Sequence, residues 1–230
     1  MTAIRVDPEF ESQLSEAIKL HNRAVAGHAE SVRVAKKAFE NLHQLNPTSA
    51  VTRAYLGSSL ILMARDEVRT YTRMQLAKQG LKHLDEAILA EPWNRTIRLL
   101  RGLVTSKLPE QYFHRSESVI EDFIVLLDGE IRHPGSLDER TYKSLIEELG
   151  QVYRRTHRLH EADLCEKQVQ ILNGVPVASN NDGLTVTKSS VTPVSVTAHE
   201  ERKPASTLDL VGALLSLAGI SLFQWTQNHS

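Results

Sequence analysis

The residues of this chain that could do chemistry are its histidines, its one cysteine and a few pairs of neighbouring acids. The closest match to a metal-binding pattern is His157-x-x-His160-Glu161, with Cys165 one helical turn further along. Imidazole, carboxylate and thiolate groups are the usual zinc ligands in proteins. Whether these four side chains could meet depends on the elements that hold them.

Adjacent acids recur in three places that could serve as acid–base couples: Asp85-Glu86, Glu121-Asp122 and Glu147-Glu148. Neighbouring residues point to different sides of a helix, so we expect these pairs on solvated faces and not in a catalytic site. His21 and His28 are seven residues apart, but Gly27 lies between them and we expect no coordination there. The chain has no phosphate-binding glycine loop, no Gly-x-Ser-x-Gly and no His-Glu-x-x-His. We therefore expect a non-enzymatic protein without catalytic residues, metal or cofactor.

The composition is that of an ordinary globular protein, with 230 residues, 41% hydrophobic residues and a net charge of −1. Residues 48–115 hold eleven Lys and Arg against six Asp and Glu, whereas residues 116–170 hold seven against twelve. This balance argues against nucleic acid as a partner, but the basic middle could meet an acidic peptide or a phosphate. The single cysteine is typical of a reducing compartment, and Met1 to Phe10 lack a signal-peptide core. Both features favour the cytoplasm.

Small residues, bulky apolar residues and helix stops repeat along the chain at fixed offsets. One copy is Ala35, Phe39, Leu42 and Pro47, and the next is Gly80, Leu84, Ala87 and Pro92. Leu149-Gly150-x-x-Tyr153, with Ala162 twelve residues after the glycine, supplies the other half of the pattern. The pattern resembles the tetratricopeptide repeat, in divergent form and about four times over residues 14–174.

This resemblance implies an all-α, right-handed helical-repeat solenoid of about four helix pairs within residues 8–174. In such a fold small residues allow two helices to pack closely, so Gly57 should face Gly80 and Gly150 should face Ala162. Cys165 should be a buried, inert thiol beside Ala162, and His157 and His160 should be exposed in a turn between helices.

Two connections between helices exceed the usual length and could carry binding residues. Residues 65–75 should form an enlarged loop, and residues 109–115, with Tyr112 and Phe113, should form a second loop on the same edge. A remote alternative is an enzyme that uses these loops. The run Arg95, Arg98 and Arg101 could mark a basic stripe, although ordinary surface charge is the favoured explanation.

In repeats of this family the first helix of each unit lines a concave groove, where other proteins bind. The clamp that grips a C-terminal carboxylate in chaperone-binding members is absent, since Ala54 and Ser58 stand at such positions. We therefore expect an adaptor that binds an apolar or amphipathic protein segment. The expected groove residues are Ala54, Ser58, Ile61, Leu99, Leu103, Gln151, Arg154 and Arg155.

The composition changes after residue 174, where residues 175–206 read as a flexible Ser/Thr-rich linker and residues 207–226 as an apolar C-terminal helix. The helix could be a short anchor at the cytoplasmic face of a membrane, could occupy the chain's own groove as a self-regulating element, or could be covered on oligomerisation. Its expected contact residues are Leu210, Val211, Leu214, Leu215, Leu217, Ile220, Leu222, Phe223 and Trp225.

Overall fold

The structure is a computed structural model of the chain, and it describes residues 8–174. Over this range the chain forms helices and no strand, which confirms the predicted all-α class. The helices are α1 (Pro8–Val25), α2 (Ala29–Leu45), α3 (Ala50–Asp66), α4 (Thr70–Ala90), α5 (Arg95–Thr105), α6 (Glu110–Phe113), α7 (Ser116–Arg132), α8 (Glu139–Arg155) and α9 (Leu159–Leu172). The predicted linker and apolar C-terminal helix lie outside the described residues.

The chain divides into two compact units, and the division falls inside α7, between Leu126 and Leu127. In the first unit α1 packs on α2 and α3 packs on α4, each pair joined by a short turn. The helix ends follow local sequence signals. α2 ends just before Asn46-Pro47, and the side chains of Ser49 and Asn94 accept hydrogen bonds from the first turns of α3 and α5.

A close contact between backbones in the first unit lies between Gly57 on α3 and Gly80 on α4. A Cβ atom placed on Gly57 would lie 2.7 Å from the carbonyl oxygen of Gly80, and one on Gly80 would lie 2.6 Å from that of Gly57. Only glycine fits at either position, because real Cβ atoms do not approach this closely. The predicted pairing of these two glycines is confirmed.

Residues 65–75 do not form the predicted enlarged loop. α3 continues to Asp66 and α4 begins at Thr70, so only three residues connect the helices. The segment contains neither glycine nor proline, so the sequence offers no helix breaker that would lengthen the connection beyond these three residues. The Arg73 guanidinium donates hydrogen bonds to the carbonyl oxygens of Glu67 and Val68, which ties the short turn to α4.

The second unit contains the helix pair of α8 and α9. A Cβ on Gly150 of α8 would lie 3.1 Å from the Cβ of Cys165 and 3.8 Å from the carbonyl oxygen of Ala162, so the predicted close approach is confirmed. Cys165 is buried, and burial raises the pKa of its thiol to about 12. The turn before α8 is held by Glu130, whose carboxylate accepts hydrogen bonds from the backbone of Gly135 and Leu137.

Candidate functional site

The expected groove is closed at α3. Ala54, Ser58 and Ile61 are all buried, so the prediction that they contact a partner is wrong. α3 is covered by α1, α2, α4 and α5, which leaves no open wall along its middle. Ala54 and Ile61 belong to one apolar cluster with residues of α4 and α5, and they stabilise the fold instead of forming a binding surface.

Ser58 takes part in a buried hydrogen bond that the sequence did not predict. Its hydroxyl lies 2.8 Å from Nε2 of His21 on α1, and the imidazole ring packs edge-on against Tyr55 and Phe39. Burial lowers the pKa of His21 to about 4, so the ring is neutral near pH 7. Because both side chains are inaccessible to solvent, the pair joins α1 to α3 and offers no nucleophile.

The other expected groove residues are not fully buried, and they belong to two different units of the chain. Leu99 and Leu103 on α5 are half-buried in the first unit. Gln151, Arg154 and Arg155 are exposed on α8 in the second unit, and Arg154 forms an ion pair with Glu166 on α9.

A cleft of about 410 Å³ lies among α2, α3 and α4, and two of the acids that line it are engaged within the chain. Asp66 pairs with Arg65, and Glu67 pairs with Arg69. We therefore place the candidate site elsewhere.

That site is a cleft of about 400 Å³ between α4 and the short helix α6, called here the α4–α6 cleft. Two large apolar side chains on its edge are open to solvent, with Leu89 80% exposed and Tyr112 61% exposed. Phe113 is half-buried and packs against the apolar core of the first unit. The full lining is Lys78, Leu81, Lys82, Asp85, Glu86, Leu89, Tyr112, Phe113 and Arg115.

Helix α6 is fixed in place by hydrogen bonds at its end. The Glu110 carboxylate accepts hydrogen bonds from the backbone N–H groups of Arg115 and Ser116 and from the Ser116 hydroxyl. His114 adopts a left-handed backbone conformation, with φ at 51°, which turns the chain sharply towards α7. These contacts hold Tyr112 and Phe113 on one side of the turn.

Arg115 then joins this turn to α4. Its guanidinium forms a two-point ion pair with Asp85, with N–O distances of 3.0 and 2.7 Å. Planar pairs of this kind fix orientation as well as distance. The wall that carries Tyr112 is therefore bound directly to the wall that carries Leu89.

A buried cluster of ion pairs joins α5 to α7 and contacts the α4–α6 cleft at Asp85. The Asp122 carboxylate on α7 accepts hydrogen bonds from Arg98 at 2.9 Å and from Arg101 at 2.7 and 2.9 Å. Arg101 also lies 3.5 Å from Asp85, which connects the cluster to the α4–α6 cleft. Arg98 is only 1% exposed, so neither a basic surface stripe nor ordinary surface charge describes this arginine, and Asp122 is not on a solvated face.

The charges open to solvent along the cleft are mainly positive. Lys78 and Lys82 are exposed on α4. The acids of the cleft are engaged within the chain, since Asp85 pairs with Arg115 and Glu86 lies 3.4 Å from Arg53. An incoming ligand would therefore meet the ammonium group of Lys78 and that of Lys82, which lies 3.9 Å from Glu86, beside an apolar edge.

The remaining predicted sites give no further candidate. His157 is exposed in the turn between α8 and α9, as predicted, and has a left-handed backbone conformation. Within residues 8–174, no group of three or more histidine, cysteine or acidic side chains is placed to hold a metal ion. None of the helices described is long and apolar enough to cross a membrane. The predicted contact residues from Leu210 to Trp225 lie beyond that range.

The chain matches no protein-family model, and no curated protein or solved structure is significantly similar to it. The interpretation of the α4–α6 cleft therefore depends on the cleft's own residues.

Sequence reasoning identified one wall of this cleft and missed the other. Tyr112 and Phe113 stood out because they lie in an unusually long connection. Sequence analysis did not single out Lys78, Lys82 and Leu89, although their spacing of four and seven residues places them on one face of a helix. A leucine on the same helix face as two lysines was the sequence signal that could have identified this wall.

Proposed function

We propose that this chain is a non-enzymatic protein-interaction adaptor whose helix pairs form a tetratricopeptide-like right-handed solenoid. The close contacts at Gly57 with Gly80 and at Gly150 with Cys165 and Ala162 support this architecture, because each joins the small-residue positions of two paired helices. Gly150 and Ala162 have the usual separation of 12 residues, whereas Gly57 and Gly80 are 23 residues apart. The partner is a protein segment, and its binding site is the α4–α6 cleft. This site replaces the concave groove that the resemblance implied.

One observation carries the proposal, namely the exposure of Leu89 and Tyr112 on a rigid frame. Loop and turn residues that a scaffold holds in place are frequent binding residues. Aromatic side chains at the edge of an apolar cleft are typical anchors for a protein partner. The ion pair between Arg115 and Asp85 holds the two walls in position before any partner arrives, which lowers the entropic cost of binding.

A photo-crosslinking amino acid at Tyr112 in the full chain tests this proposal. The expected result is a discrete protein adduct whose crosslinked peptide maps to one segment of one partner. The matched control is the same amino acid at Leu159 in the second unit, since Leu159 and Tyr112 are both 61% exposed. Equal labelling of many proteins from both positions would contradict the proposal.

Residues 207–226 are the second part of the proposal, as an anchor that holds the adaptor at the cytoplasmic face of a membrane. The absence of charged residues from Leu210 to Trp225 supports this role. Deletion of residues 206–230 should remove membrane recovery and leave partner affinity unchanged. A gain in affinity without a change in recovery would support the self-regulating alternative instead.

A further inference from the structure

The outer face of α4 carries a continuous stripe of residues with alternating spacings of four and three. Residues at these spacings share one face of an α-helix, the face along which a second helix can lie. At 1.5 Å per residue the stripe is about 27 Å long. Its members are Tyr71, Gln75, Lys78, Lys82, Asp85 and Leu89, called here the α4 stripe.

The two ends of the α4 stripe are apolar and exposed. Tyr71 is 77% exposed at the N-terminal end, and Leu89 lies at the C-terminal end beside Tyr112. The opposite face of α4 holds Gly80, Leu84 and other buried residues against the core. Two anchors separated by several turns suit a long, regular partner, because a compact side-chain ligand cannot reach both.

The middle of the α4 stripe is positively charged. Lys78 and Lys82 are one turn apart and both are exposed. Two acids lie near these lysines, but each has an arginine partner. Arg115 lies 2.7 Å from the Asp85 carboxylate, and Glu86, which is 3.9 Å from Lys82, also lies 3.4 Å from Arg53. A partner with carboxylates opposite these lysines gains attraction, whereas a basic partner meets like charge.

We propose that the partner segment is an acidic amphipathic α-helix that packs along the α4 stripe. Its apolar residues contact Tyr71 at one end and enter the α4–α6 cleft at the other, and its carboxylates face Lys78 and Lys82. This inference rests on the proposed function, because it names the partner of the same cleft. It adds the partner's secondary structure, charge and orientation along α4.

The test uses the full chain and two synthetic amphipathic peptides of about 18 residues, enough to span the stripe. Both carry the same apolar residues at the seam positions, and the flanking positions are glutamate in one peptide and lysine in the other. Fluorescence anisotropy should show at least about tenfold tighter binding of the glutamate peptide, falling as salt rises from about 50 to about 500 mM. Equal affinity for the two peptides would overturn the inference.

The double variant Lys78→Glu/Lys82→Glu should reverse this preference, so that the lysine peptide binds more tightly. This outcome is a gain of binding, which a misfolded chain cannot give. The matched control is Arg33→Glu/Lys37→Glu, which reverses two exposed charges one turn apart on α2 and should leave both affinities unchanged. An unchanged preference in the α4 variant, or a reversal in the α2 variant, would contradict the assignment of Lys78 and Lys82.

A photo-crosslinking amino acid at Leu89 separates this occupant from two others. Adducts with the glutamate peptide are expected. An adduct within residues 207–226 of the same chain, or a covalent dimer, would overturn the inference in favour of self-occupancy or self-association. If neither peptide binds but crosslinking from Tyr112 still maps to one segment of one partner, only the acidic helical partner is refuted. If neither peptide binds and crosslinking from Tyr112 gives no discrete adduct, the proposed function is refuted as well.

Discussion

Gly57 on α3 and Gly80 on α4 approach each other so closely that a Cβ atom on either residue would collide with the carbonyl oxygen of the other. The added atom would lie 2.6 Å from backbone in one direction and 2.7 Å in the other. Backbone cannot move aside as a flexible side chain can, so the contact sets the distance between the two helices. It also sets the position of the α4 stripe on the opposite face of α4.

Gly80→Ala should therefore destabilise the first unit. The new methyl group would also lie 2.7 Å from Cγ1 of Ile61. Overpacking costs about 1 to 3 kcal/mol, and a clash with rigid backbone belongs in the upper part of that range, at about 2 to 3 kcal/mol. The better helix propensity of alanine returns about 1 kcal/mol, so we expect a net loss of about 1 to 2 kcal/mol. Urea unfolding measures it. Gln79→Ala, at the exposed neighbouring position, should stay within about 0.5 kcal/mol of the natural chain.

Asp122→Asn should be among the most damaging single changes in the first unit. The substitution removes the negative charge that Arg98 and Arg101 share while both guanidinium groups stay buried. The arginines then keep only the partly exposed acids Glu121 and Asp85 as partners, at 2.9 and 3.5 Å. Loss of a fully buried partner costs about 3 to 5 kcal/mol, and we expect about 3 kcal/mol here because these two contacts remain, measurable as a lower urea midpoint. Glu121→Gln is the control, since Glu121 contacts Arg98 but is partly open to solvent, and the expected loss is below about 1 kcal/mol. Equal losses from the two variants would show that burial of the acid is unimportant.

Local signals account for what the sequence predicted correctly. Asn46-Pro47 stops α2 because proline cannot continue a helix, and that effect needs no distant partner. The contact between Gly57 and Gly80 was predictable because each glycine stands at the small-residue position of its own helix, although 23 residues separate them instead of the usual 12. The burial of Cys165 followed from the same register.

Residues whose surroundings depend on distant parts of the chain were predicted wrongly. Ala54 and Ser58 have side chains that suit a groove and a core equally well, and the covering helices decide between the two. Arg98 resembles a surface residue until Asp122, twenty-four residues later, is brought against it. The sequence of α5 alone gives no sign that Asp122 will pack against Arg98. For the same reason, sequence analysis identified only one of the two walls of the α4–α6 cleft.

His21 should make the first unit less stable in acid. Its pKa is about 4 in the folded chain against 6.5 for a free histidine, so unfolding takes up a proton between these values. The contribution of His21 to stability is therefore nearly constant well above pH 6.5 and falls as pH drops towards 4, by about 2 kcal/mol between pH 7 and pH 5. Urea unfolding at the two pH values measures this loss.

The variant His21→Gln isolates this contribution from those of other histidines. Burial also lowers the pKa of His43 and of His83, so the natural chain loses further stability in the same direction. The natural chain should lose about 2 kcal/mol more than His21→Gln over this pH interval. His28→Gln, in the exposed turn after α1, should follow the natural chain. Parallel curves for all three proteins would contradict the assignment to His21.

Cys165 should react with an aromatic disulfide reagent only when the second unit opens. Only 1% of the residue is exposed, and its raised pKa leaves almost no thiolate at neutral pH. In the folded chain we expect modification at least about a hundredfold slower than in urea, where the thiol has its ordinary reactivity. A cysteine introduced by Leu159→Cys, at an exposed position of the neighbouring turn, should react rapidly in the same folded chain. Comparable rates at the two positions would show that the packing of Gly150 against Cys165 does not protect the thiol.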